Sequence, residues 1–141
     1  MTVAQPNAIG VPGYTAELPC VRGSVSRART LVSNVLAVWG MDGDVADCGR
    51  TIVTELLANA VEHTETPVSQ VVIERPGDGA VRIGVSDRSH GVPRLKTAAL
   101  TAESGRGLSL VAGMSSRWGY ETHTWGKVTW AVIEASAGQE R

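Results

Sequence analysis

Glu55, Asn59 and His63 recur at four-residue steps in the stretch TIVTELLANAVEHTET, which begins at Thr51. In a helix this spacing puts all three on nearly one line, beside an apolar stripe that includes Leu56 and Ala60. A carboxylate and an amide one turn apart suit magnesium chemistry. The Asn oxygen is a neutral ligand for a hard cation, and a Glu one turn earlier is placed to accept a proton from a group held near that cation. The plain alternative is a solvated helix face, against which stands the middling helix propensity of a mid-helix Asn. His63 falls in the last turn and is read as a favourable group at the helix C-terminus, in preference to a catalyst.

Two further clusters carry polar groups where the surrounding pattern is apolar. In VSDRSHGVP, Asp87 ends an apolar strand although Asp is disfavoured in strands. Gly91, four residues on, permits close approach of a ligand to the backbone; the alternative for Asp87 is a simple turn residue. In SGRGLSLV, Gly105 and Gly107 immediately precede a helical pattern. Their amides and the helix N-terminus suit phosphate oxygens, with Arg106 as a further phosphate partner. Glycine pairs open many helices, so this cluster is weak alone. Competing motifs fail: GRGLSL lacks the third Gly of a dinucleotide fingerprint, and GKV at Gly126 is no P-loop. There is no protein-kinase catalytic-loop motif, and the three His and two Cys make no zinc pattern.

These clusters need elements to hold them. A chain of 141 residues predicts one compact domain, here 14–136, with a loose arm at 1–13 and a short tail at 137–141. YTAELPC reads as an edge strand ending near Pro19. Ser24 is the expected N-cap of a helix with apolar positions Val25, Ala28, Leu31, Val32, Val35, Leu36 and Trp39, stopped by Gly40. The second helix runs from about Asp44 to His63 on a stripe of Ile52, Val53, Leu56, Leu57, Ala60 and Val61. VSQVVIER and AVRIGVSD flank the turn PGDG as a hairpin. After Asp87 comes a long irregular stretch, then helical spacing through Leu108, Val111 and Met114, then a closing hairpin of RWGYETH and KVTWAVIE. The order predicts an α+β fold, a two-layer sandwich with helices on one face of a mixed sheet.

Composition narrows the function classes. A formal net charge of −1 gives no basic face, so neither a nucleic-acid nor a membrane-surface partner is expected. No apolar run reaches the ~18 residues of a membrane span, and the N-terminal residues lack a signal-peptide pattern; a cytoplasmic location is expected. Cys20 and Cys48 stand far apart without a CxxC, and two free thiols are preferred over a lone disulfide.

Taken in this order, the three clusters resemble the ATP-binding superfamily of gyrase B, the ninety-kilodalton heat-shock chaperone, histidine kinases and MutL. ELLANAVEH is similar to its N box, DRSHG to its first glycine box and GRGL to its second. With RWGY and GKVTWAV added, the chain resembles most the stand-alone branch of RsbW-like anti-sigma factor serine kinases and their actinobacterial ATP-binding relatives, over roughly Leu18 to Glu134. The resemblance implies the Bergerat fold, ATP and Mg²⁺. It makes Glu55 the general base, Asn59 the Mg²⁺ ligand, and Asp87 the acceptor for the adenine amino group. Gly91 would pack against the base, and Gly105, Arg106 and Gly107 would hold phosphates after a lid at 92–104. Implied partners are a sigma factor and a STAS-domain antagonist, and a homodimer is implied as well. A catalytically silent ATP-gated binding module is the alternative. Two positions depart from the family pattern: Ser89 replaces a Gly of the first glycine box, and Lys127 stands where many relatives have Thr. The sequence lacks a phosphoacceptor-His dimerisation domain, so histidine kinase activity is not expected of this chain alone; a serine or threonine acceptor is what the resemblance implies.

Overall fold

The apolar spacings yield helices α1 (Val25–Val38) and α2 (Asp44–His63), and a helical segment at 110–114 within the third helical pattern, in a computed structural model that describes residues 4–7, 10–41, 43–91 and 110–134. α1 ends at Gly40, whose φ of +70° lies in the region that favours glycine. Gly40 N–H donates to Ala37 O and Met41 N–H to Leu36 O, which is a Schellman termination. Ser24 holds the N-cap position of α1 as expected, but not as a side-chain cap. It belongs to a 3-10 turn (Arg22–Ser24). α2 has Asp44 and Asp47 in its first turn and His63 in its last, matching the helix dipole at both ends.

Strands β1 (Gln5–Pro6), β2 (Gly13–Pro19), β3 (Val68–Glu74), β4 (Ala80–Asp87), β5 (Arg117–His123) and β6 (Gly126–Glu134) form one sheet in the order β1-β2-β3-β4-β6-β5. Among the described residues every pairing is antiparallel. That corrects the expected mixed sheet. β4 and β5 do run in the same direction, but β6, the return arm of the last hairpin, sits between them, so they never pair. Part of the segment expected to be a loose arm is also tied down: Gln5 and Pro6 pair with Thr15 and Tyr14. A short strand containing Pro is what a sheet edge tolerates, and β2 is therefore an interior strand.

The core lies between the layers. Ile52, Val53, Leu56, Leu57 and Ala60 of α2 pack with Ala28, Val32, Val35 and Leu36 of α1 and with Val71, Ile73, Val81, Ile83, Val85, Ala131 and Ile133 of the sheet. Val61 and Trp39, expected within the apolar stripes, are partly buried at its margin. Cys20 and Cys48 are free; burial pushes the Cys48 thiol above its ordinary range, with Asp44 and Asp47 adding to the effect. No described helix is long and apolar enough to cross a membrane.

Candidate functional site

The last turn of α2, which ends the polar row of the helix, is hydrogen-bonded through Thr64 and Thr66 to the residue that follows the strand-end carboxylate. One flank of α2 faces α1: Arg29 Nη1 donates to Thr54 Oγ1 at 2.9 Å and Arg50 Nη1 to Ser33 Oγ at 3.1 Å. At 100° per residue Asn59 lies about 140° round the helix from Thr54, so Glu55 and Asn59 look over the opposite flank. Both are half-buried, while His63 is exposed. A freely solvated face therefore describes His63 and not the other two. His63 lines a polar cleft of about 500 Å³ with Glu62, Thr64, Glu65, Arg88 and Ser89.

Two threonines join the helix end to the strand end. Thr64 Oγ1 donates to Ala60 O at 2.6 Å in the last turn of α2 and lies 2.7 Å from Thr66 Oγ1. Thr66, itself buried, accepts from Arg88 N–H at 2.9 Å, immediately after Asp87. This chain of hydrogen bonds sets where the first glycine box begins relative to Asn59. The box then folds on its own side chains. Asp87 Oδ1 accepts from Ser89 N–H at 2.8 Å, and Ser89 Oγ accepts from Gly91 N–H at 2.9 Å. Ser89 in place of a glycine is thus a builder of the turn, and no described non-glycine residue has a positive φ. His90 Nε2–H donates to His123 O and Thr124 O at 3.1 and 3.2 Å, tying the box to the β5–β6 turn.

Asp87 is the buried centre of the site. It is 3% exposed, as is Lys127, its directly paired residue on β6, and Lys127 Nζ donates to Asp87 Oδ1 at 3.0 Å. Gly126 makes that approach feasible. A Cβ at Gly126 would lie 2.1 Å from Asp87 O and 2.7 Å from Arg88 Cα, and its φ is +151°. Gly126→Ala is expected to cost about 3 kcal/mol, from overpacking and strained backbone together. Urea denaturation measures this, and a loss below about 1 kcal/mol would show that the β6 start can move away from Asp87 cheaply.

Of the candidate binding and catalytic residues of the sequence, Glu55, Asn59, Asp87 and Gly91 are described; Glu55 and Asn59 lie on α2, whose last turn is tied through Thr64 and Thr66 to the segment just after Asp87. Gly105, Arg106 and Gly107, with the expected lid, lie outside the described residues. Sequence reasoning missed Thr64, Thr66 and Thr129. The run HTETP offered a weak signal for the first two, since alternating Thr after a helix can bond back to its last turn. Thr129 had none: it is a β-branched residue in a strand, as strands prefer.

The histidine kinase-like ATPase domain family matches residues 20–133. The chain belongs to that family. It is also 39% identical, over 72 residues, to an uncharacterized protein of Streptomyces coelicolor, the match covering 48% of this chain and 68% of that one. The residues present fit what a histidine kinase-like ATPase domain binds. Three buried hydroxyls have no partner among the described residues, Ser24 Oγ at the start of α1 and, nearer Asp87, Ser69 Oγ and Thr129 Oγ1. Ser69 and Thr129 stand on β3 and β6, the two strands flanking β4, and by strand alternation share the helix-facing side with Asp87. Unpaired buried hydroxyls cost stability unless a ligand or water meets them, so a polar base beside Asp87 is a natural complement. Mg²⁺ carried with a triphosphate needs only one or two protein ligands, and Asn59 has a neutral oxygen of the kind that would serve as one.

Proposed function

We propose that this protein binds ATP with Mg²⁺, restrains a sigma factor, and acts as a serine/threonine protein kinase on a STAS-domain antagonist of that restraint. The observation that carries the reading is the placement of Asp87. It is a buried carboxylate at the end of β4, oriented by Ser89 and Lys127, and the helix that carries Asn59 and Glu55 ends at the hydrogen-bonded link to the residue after Asp87. A carboxylate there accepts from the adenine amino group, whereas guanine presents an oxygen that it repels. Asn59 would hold the metal, which neutralises phosphate charge when bound. Phosphoryl transfer asks little covalent chemistry of the protein. The serine oxygen bonds to the γ-phosphorus, the bond to the ADP oxygen breaks, and Glu55 takes the hydroxyl proton. Membership of a histidine kinase-like ATPase family supports the nucleotide part of this reading. Half-burial of Glu55 beside Asn59 supports the transfer part.

Incubation with γ-labelled ATP and the candidate STAS-domain protein tests the proposal, with label expected on a serine or threonine of the partner. Calorimetry should show GTP binding at least ~10-fold more weakly than ATP, the scale of one misplaced hydrogen bond. Equal affinity for the two would reject Asp87 as the base-reading group. ATP bound normally, with no label passed to any cognate STAS protein, would leave an ATP-gated binding module in place of the kinase.

A further inference from the structure

Lysine is almost never fully buried unless it is paired, and its flexible stem normally carries the ammonium out to water. Lys127 does the opposite. At 3% exposure it lies directly across from Asp87, with Nζ 3.0 Å from Oδ1. The same oxygen accepts the Ser89 amide at 2.8 Å. A carboxylate oxygen has about two acceptor positions, so Oδ1 is saturated by donors of this chain. Any donor group on a ligand must then use Oδ2. The bond from the Ser89 amide is fixed by local backbone, and that from Lys127 by Gly126, where a Cβ would meet Asp87 O at 2.1 Å. Two donors, one from the segment just after β4 and one from β6, fix the carboxylate plane as well as its charge.

We propose that Lys127 is a positioning residue that sets the base selectivity of the site: it occupies Asp87 Oδ1 so that Oδ2 alone is offered to the purine amino group. The proposal rests on the reading of Asp87 as the base acceptor. A lysine that only balanced a buried charge would look the same in a single structure, and the two roles separate in their consequences. A charge balancer affects folding and leaves the ATP-to-GTP affinity ratio alone. A positioning residue affects the ratio, because a carboxylate free to rotate, or covered on both oxygens, no longer presents one fixed acceptor.

Lys127→Arg is the decisive variant. It keeps the cation, so the pair remains balanced, but a guanidinium engages a carboxylate through both oxygens. ATP affinity measured by calorimetry is expected to fall at least ~10-fold and the ATP-to-GTP ratio to fall toward one, with a urea midpoint near that of the parent. Lys127→Met, which frees Oδ1, should lower the ratio too, read in whatever fraction folds as judged by circular dichroism. An unchanged ratio in Lys127→Arg, with ATP still bound, overturns the proposal and leaves Lys127 a charge balancer. A raised ratio overturns it as well, since Lys127 would then be touching the purine itself. A parent protein that binds neither nucleotide instead removes the ATP reading, and the selectivity role falls with it.

Discussion

Glu55→Gln is expected to reduce phosphoryl transfer to the STAS-domain partner ~100-fold or more while leaving ATP affinity within a few-fold of the parent. The size is that of a lost general base, and the asymmetry follows from the geometry. Glu55 and Asn59 share one flank of α2, a turn apart, but on the present reading only Asn59 reaches the metal and triphosphate. Glutamine preserves the length, the shape and half-burial of the side chain, so the helix and the base site should persist. It loses the negative charge and the basicity that would draw the proton from a serine hydroxyl. Asn59→Ala should behave differently, weakening ATP binding far more than adenosine binding, because adenosine brings no phosphate-bound cation. Single-turnover transfer with labelled ATP, beside calorimetry on both variants, separates the two roles. Full transfer by Glu55→Gln would reject the base assignment. An equal loss of ATP and adenosine binding in Asn59→Ala would reject the metal assignment.

Much of the frame behind this prediction was legible without coordinates. The three-four spacing of Ile52, Val53, Leu56, Leu57 and Ala60 specified α2 and its buried face, because burial of an apolar stripe is what a helix of that length is held by. Glu55 and Asn59 followed from the same periodicity. The sheet was less legible. Alternation marks strands but says nothing of their lateral order, so the insertion of β6 between β4 and β5 was not readable, nor was the pairing of Gln5 and Pro6 with β2. Local hydrogen bonds also escaped. Thr64 bonds locally to Ala60 and Thr66, but Thr66 Oγ1 reaches across 22 residues of chain to Arg88 N–H, and no period in the sequence encodes such a contact. Lys127 was visible as a departure from the family pattern. Its consequence became visible only when the register placed it opposite Asp87.

That register supports the last prediction, which concerns the buried pair itself. Asp87→Asn keeps the size of the side chain but leaves the Lys127 ammonium, 3% exposed, without its counter-charge. Removing one partner of a buried ion pair costs about 3–5 kcal/mol, because the remaining charge stays desolvated. A drop toward the lower end of that range is expected, since the Asn oxygen still accepts from Nζ. If that oxygen keeps the Oδ1 position, the amide nitrogen falls where Oδ2 stood and offers a donor. The adenine amino group then meets a donor, and a charge-assisted hydrogen bond worth about 1.5–3 kcal/mol is lost, so ATP should bind roughly 10–150-fold more weakly. Guanine, with an oxygen at that place, should lose much less. Adding Lys127→Met to Asp87→Asn removes the stranded charge, and replacing a whole buried pair by uncharged groups is often neutral or stabilising. The double variant should therefore recover most of the folding stability lost by Asp87→Asn, without recovering ATP affinity. Urea denaturation of the parent, both single variants and the double closes the cycle. Strictly additive losses would mean that Asp87 and Lys127 are not energetically coupled. Recovery of ATP affinity along with stability would mean that the carboxylate was never the base-reading group.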